Sequence, residues 1–340
     1  MYRRERTRFY WIATSLFLLC ILFSYISLVS GTYSISLADV WHTLFRIETN
    51  AELDLVILEF RLPRIIIGAL VGFGLAIAGT VIQAISKNGL ADPGILGINA
   101  GAGLAIVVFM FFFLGQTAVN GWAAAILMPL FGFVGGIGAS LIIFLLAWEN
   151  GRLDPQRLIL IGIAVGAGLG AISLFLSLKM KASDFEMATV WITGSIWNAN
   201  WYFIMTILPW FLLFVPIIFL KSHLLDIFQL EETAVKSLGV QTEKQKLILL
   251  LTSVALVATC VSVSGSIGFI GLMSPHIARR LVGVHHRYIL PISGLIGSAL
   301  VIMADLIAKT IVLPAEMPVG IVIAIIGVPY FVYLLFKAKA

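Results

Sequence analysis

The sequence predicts an all-α, polytopic membrane protein of about ten transmembrane helices, built as a single transmembrane domain over residues 1–340. Three observations carry that prediction. Mean hydropathy is +1.06, and 60% of the 340 residues are hydrophobic against 11% charged, far outside soluble globular composition. The apolar residues gather into charge-free runs near or above the ~18 to 20 residues that cross a bilayer. Helix-start signals stand at the edges of several of those runs. The two cysteines, Cys20 and Cys260, both lie within apolar runs, so they read as small buried hydrophobes and give neither a disulfide framework nor a metal site.

Taken in order, the runs place spans near 9–30, 62–86, 95–114, 122–148, 158–178, 201–220, 247–265, 267–282, 288–308 and 319–336. The first follows a basic head, as in a signal peptide, but its length and the lack of an A-x-A site predict a retained span. Asp92-Pro93 and Asp154-Pro155 each put an N-cap carboxylate before a proline at the first helical position, ahead of the third and fifth spans. Thr242-Glu243-Lys244-Gln245 fits a capping box ahead of the seventh. From Leu247 to Ala278 there is no acid, Lys or Arg, a run about 48 Å long as one helix, too long for a single ~30 Å crossing. Gly265, Gly268 and Gly271 offer the break, giving a full span and a short return segment.

An even number of spans puts both termini on one side. Of the 22 Lys and Arg residues, only Arg46, Arg61, Arg64, Lys179, Lys181 and Lys309 then fall on the other side, and that imbalance predicts a cytoplasmic N-terminus and C-terminus. The same orientation places the longest polar passage, "HLLDIFQLEETAVKSLGVQTEKQK" (223–246), in the cytoplasm. Within it, Leu230, Ala234, Val235 and Leu238 share one helical face, Glu232 and Lys236 form an i,i+4 pair, and Gly239 stands where a helix would stop. A solvated connector, a helix lying on lipid and a docking helix all fit that pattern. Mixed charge signs and mostly small apolar residues favour a socket in another protein over a lipid surface.

The chain has no G-x-x-x-x-G-K-[ST] and no Gly-Lys pair, so it has no loop of that kind to cradle nucleotide phosphates. Transport powered by ATP therefore requires a partner that hydrolyses it. A proton- or sodium-coupled secondary transporter is disfavoured because nearly all the span cores lack ionisable residues. An intramembrane enzyme is disfavoured because no paired carboxylates or nucleophile–base set lies within the spans.

From about Arg61 to the C-terminus the chain resembles the FecCD-type permeases of ABC importers, which carry iron–siderophore complexes, haem or cobalamin. The resemblance rests on "RLPRIIIGALVGFGLAIAGTVIQ", "KNGLADPGILGINAGAG", "WITGS", "AVKSLGV", "GSIGFIGLMSPHIARRLVG", "HHRYILPISGLIGSAL" and "EMPVGIVIAIIGVPYFVYLL", in that order. Two positions depart from the family pattern: Glu231 stands where Gly is usual, and Gly89 where Pro is usual. The resemblance implies a type II ABC importer permease architecture, with two ATP-binding subunits below, a second permease subunit (identical or paralogous) and an extracytoplasmic substrate-binding protein above. It also implies the cytoplasmic membrane of a prokaryote, an iron(III)–siderophore cargo with haem or cobalamin as alternatives, and no resident cofactor, metal or nucleic-acid partner. The 221–246 loop then becomes the coupling segment seated on the ATPase.

Arg61 and Arg64 stand three apart, with Pro63 between them, so one face of a helix presents both. Read from the residues alone they serve equally as interfacial anchors. The resemblance implies that they, with Lys309 where the family has Arg, meet glutamates of the binding protein; lysine keeps the charge and loses the bidentate fork. Asp305, four residues before Lys309, reads as its local ion-pair partner or a helix-end group. His276 follows Ser274-Pro275 and reads as a packing or turn residue.

Overall fold

The computed structural model describes residues 2–31, 33, 35–47, 50–113, 121–149, 152–153, 155–230, 235, 241–313 and 315–338. Its helices, in chain order, are α1 (Tyr2–Val29), α2 (Leu37–Leu44), α3 (Ala51–Asp54), α4 (Leu62–Ser86), α5 (Ile98–Phe113), α6 (Trp122–Ala147), α7 (Pro155–Ser177) and α8 (Ala182–Ile192). They continue as α9 (Trp201–Leu220), α10 (Ser222–Ile227), α11 (Thr242–Ser264), α12 (Ile270–Val282), α13 (His286–Thr310) and α14 (Val319–Ala338). Among the described residues eight helices are long and apolar enough to cross a membrane. The shorter α5 and α12 complete the ten predicted segments.

The enclosed centre is α4, α11 and α13, whereas α1 and α7 bury few of their residues. Between apolar helices in lipid, burial of apolar surface gives little net drive, so close packing of small residues and interhelical hydrogen bonds must hold the pairs together. The α4–α13 pair does this by direct backbone contact. A Cβ on Gly72 would collide with the Gly297 carbonyl, and one on Gly297 with the Gly72 carbonyl. Below that crossing Thr80 Oγ1 donates to Ser293 Oγ at 3.1 Å, and above it Ser298 Oγ donates to the Ala69 carbonyl at 2.8 Å.

The long uncharged run breaks as expected. Helix α11 ends at Ser264, Gly265 takes a φ of 66°, and the chain restarts at Ile270. The break is held from two sides: Ser195 N donates to the Ser264 carbonyl and Gly320 N to the Gly194 carbonyl, both at 2.8 Å. A Cβ at Gly265 would run into the Trp191 carbonyl.

Three local expectations change. The second span, expected over 62–86, is part of one 36-residue helical run, Ala51–Ser86, about 54 Å long. Its N-terminal part is α3 followed by a π-helical stretch, Leu55–Arg61; Glu52, Asp54, Glu59 and Arg61 conceal it from a hydropathy reading. Asp92 caps a short 3-10 turn, Pro93–Leu96, rather than the third span, which begins at Ile98 after Gly97 at φ 68°. The capping box at Thr242 does not form. Thr242 is buried as the first helical residue, and Gln241 occupies the cap with no side-chain hydrogen bond, so packing outweighs the local signal. After the fourth span the chain forms a small antiparallel hairpin, β1 (Trp148–Glu149) with β2 (Arg152–Leu153).

Candidate functional site: a charged cavity and a tethered loop

The three basic residues singled out in the sequence converge. Arg61, Arg64 and Lys309 all line one cavity of about 710 Å³, together with Tyr33, Glu59, Trp197, Asn198, Asn200 and Glu316. Their engagement differs. Arg64 is 9% exposed. Its Nε donates to Asp305 Oδ1 at 2.9 Å, its Nη2 lies 2.8 Å from the same oxygen, and its Nη1 donates to Glu316 Oε2 at 2.7 Å. One guanidinium thus holds two carboxylates, the planar fork serving both. Asp305, 2% exposed, pairs with Arg64 across 241 residues of sequence. This corrects the expectation of an ion pair with Lys309.

Lys309, 5% exposed, donates instead to the carbonyl of Ser27 and, at 2.7 Å, to its hydroxyl. Arg61 donates to the carbonyls of Leu28 and Tyr33. Ser27 and Leu28 lie in the last turn of α1, where carbonyls lack intrahelical partners and favour cations. Two of the expected docking cations therefore cap α1 from its neighbours. Spacing predicted that Arg61 and Arg64 would share one face. Arg61 closes the π-helical stretch and Arg64 sits in the first turn of the α-helix that follows. The step between them is α-helical and both line the cavity, yet each finds different partners.

At the opposite end, the candidate coupling residues Glu232, Ala234, Lys236, Leu238 and Gly239 lie outside the described residues. Leu230 is 48% exposed, whereas Val235 is helical, 1% exposed and part of the chain's own main core. Val235 therefore faces inward, a correction to its expected place on a partner-facing surface. Lys87 Nζ donates to the Leu230 carbonyl at 2.6 Å, and Lys221 Nζ to Gln245 Oε1 at 2.6 Å, tying the base of the loop to α4 and to the start of α11. On α10, Asp226 Oδ1 accepts from the His286 backbone N–H at 2.9 Å and meets the His286 Nδ1 at 2.6 Å. Burial alone would raise the Asp226 carboxyl, but these two hydrogen bonds and the neighbouring imidazoles hold it below its ordinary value.

The His276 ring stands edge-on to Tyr330, centroids 6.0 Å apart, a packing contact as expected. Among the described residues no group of three or more His, Cys, Asp or Glu side chains converges as metal ligands would. The sequence reading missed Glu316 and the ties of Lys87, Lys221 and Asp226. Glu316 was readable only as a lone acid at the edge of the last span, and Asp305 as an acid in an apolar run, which is by default a functional or paired group.

Ten apolar segments, with α4, α11 and α13 enclosed among them and charge concentrated at the two ends of the bundle, define a polytopic membrane protein. The chain belongs to the FecCD transport family, which matches residues 18–337. That match begins well before the motif-rich part at Arg61 and takes in the C-terminal part of α1. The chain is 56% identical over 321 residues to the iron-uptake system permease protein FeuC of Bacillus subtilis, covering 94% of this chain and 96% of that one. It is 45% identical over 323 residues to the iron(3+)-hydroxamate import system permease protein FhuG of Bacillus subtilis, covering 95% and 96%. Among solved structures, a metal-chelate type ABC transporter in an inward-facing conformation superposes with a TM-score of 0.80 at 30% identity, covering 96% of this chain and 99% of that chain.

Proposed function

We propose that the chain is the permease subunit of an ATP-driven importer that carries an iron(III)–siderophore complex across the cytoplasmic membrane of a prokaryote. The observation that carries this reading is near-full-length identity of 56% to a permease named for iron uptake. Two ATP-binding subunits supply hydrolysis, and a second permease subunit, identical or paralogous, completes the pathway. An extracytoplasmic binding protein delivers cargo to the outer cavity. Both termini and the 221–246 loop face the cytoplasm, where the loop seats on the ATPase. Docking above rests first on Arg61, because it is the least enclosed of the three outer cations; Arg64 and Lys309 support it from within.

A haem cargo is the second reading, favoured by 36% identity over 319 residues to a hemin transport system permease protein of Yersinia pestis. Reconstitution in proteoliposomes with the cognate ATPase and binding protein separates the two. ATP-dependent accumulation of radiolabelled iron from a hydroxamate or catecholate chelate, with no ion gradient, is the expected result. Accumulation of haem alone would replace the first reading with the second. Uptake driven by a proton or sodium gradient without ATP would overturn both.

A further inference from the structure

We propose that Asp226 is a positioning residue for transport, the link through which movement of the 221–246 loop reaches the α4–α13 pair; this rests on the reading of that loop as the ATPase-facing segment. Helix α10 is held by its apolar side, with Leu224 and Leu225, and Phe228 just after it, buried in the main core, so it follows that body rather than swinging on its own. Its one carboxylate is aimed out of that packing at the first turn of α13. There it takes the position of an N-cap supplied in trans: it accepts the His286 N–H, which the helix itself cannot satisfy, and engages the His286 ring. His286 is buried, whereas His285, 3.8 Å from the other Asp226 oxygen, is exposed. The buried imidazole is therefore the tight partner.

What lies beyond His286 gives the contact its reach. Asp305 is nineteen residues further along the same helix, about 28 Å along its axis, close to the ~30 Å of bilayer hydrocarbon. At that outer end it holds Arg64 of α4. Between the two ends α13 and α4 touch backbone to backbone at Gly72 and Gly297, and so densely packed a pair moves as one body rather than bending. Lys87, the last residue of the α4 unit, reaches the loop from the other member of the pair. A displacement at the loop is thus presented to both helices of the body that carries the outer cavity.

Position between two sites is not itself coupling, and the test reads coupling directly. Asp226→Ala and Asp226→Asn are made in the complete complex with its ATPase and binding protein and compared in proteoliposomes for abundance, ATPase co-purification, basal ATP hydrolysis, and labelled iron delivered per ATP. The alanine variant should assemble and keep its basal hydrolysis while iron delivered per ATP falls roughly tenfold, within the usual range of coupling between sites. Asp226→Asn should recover most of the loss, because its amide oxygen still accepts the His286 N–H. Where the alanine variant does not accumulate, Asp226→Ser is read by the same ratio, with the same expected loss. A wild-type ratio in a normally assembled Asp226→Ala or Asp226→Ser, or an asparagine variant as poor as alanine, overturns the assignment. Leu238→Asp runs in parallel. If it retains the ATPase, the loop reading itself fails; if it loses the ATPase while Asp226→Ala keeps its ratio, only the role of Asp226 fails.

Discussion

The Lys309 ammonium, projecting from the last turn of α13, closes the last turn of α1 by donating to both the carbonyl and the hydroxyl of Ser27. Helix α1 buries few of its residues, so this cap, that of Arg61 and the Tyr25 hydroxyl donating to the Leu37 carbonyl tie its C-terminal end. Lys309→Met keeps the stem and removes the donors. It should lower thermal stability in detergent by about 1–3 kcal/mol, the cost of leaving a buried acceptor unsatisfied, and raise labelling of a cysteine placed at Ser30. Unchanged labelling and stability would show that α1 is held by other means.

Arg64 should respond differently from Arg61. Removing Arg64 leaves Asp305 enclosed without its partner, a change that costs about 3–5 kcal/mol for a buried pair, so Arg64→Met should reduce abundance in the membrane. Arg64→Met with Asp305→Leu should restore it. Arg61→Glu should insert normally and weaken binding-protein association, measured by co-sedimentation with proteoliposomes. Equal loss of abundance in both single variants would remove the distinction.

The crossing of α4 and α13 has no room for a side chain. Gly72→Val should lose abundance and thermal stability by at least the ~1–3 kcal/mol of an overpacked core, since the obstacle is backbone at Gly297 rather than a movable side chain. Gly168→Val in α7, where an added Cβ meets nothing within 4 Å, is the internal control for stability of the single chain.

Charge distribution predicts an orientation that labelling can test. A cysteine at Ser237 should resist an impermeant reagent in intact cells and react once the membrane is opened, while one at Lys181 should react from outside. The reverse pattern would invert the topology.

The tie between Asp226 and His286 has a defined acid limit. Its carboxyl is held below the ordinary value in the folded state, so its stabilisation is present above the unfolded-state value of about 4 and is lost as pH falls through the lower folded-state value. Hydrogen exchange at the first-turn amides of α13 should stay slow through mildly acidic pH and quicken only below that range. Quickening that begins near pH 6 would assign control to an imidazole instead.

The ten segments were legible because hydropathy acts residue by residue and needs no partner. What stayed hidden depended on contacts distant in sequence or on turns that periodicity does not encode. Arg64 finds its carboxylates 241 and 252 residues away, beyond anything spacing can reveal, although the acids themselves were visible. The outer extension of α4 was masked by its own charges. Amphipathicity correctly marked Val235 as apolar-facing, but the pattern does not say whether that face turns to the chain's own core or to a partner, and it turns inward.

The run from Ala51 to Ser86 is longer than the bilayer is thick, and this gives the molecule a lever. One end finishes at Lys87, which reaches the base of the loop, and the other carries Arg61 at the cavity. A small tilt of the α4–α13 body as a whole displaces that far end farther than the part near the pivot. On the proposed reading of the loop and the cavity, a modest push at the loop becomes a larger stroke at the cavity.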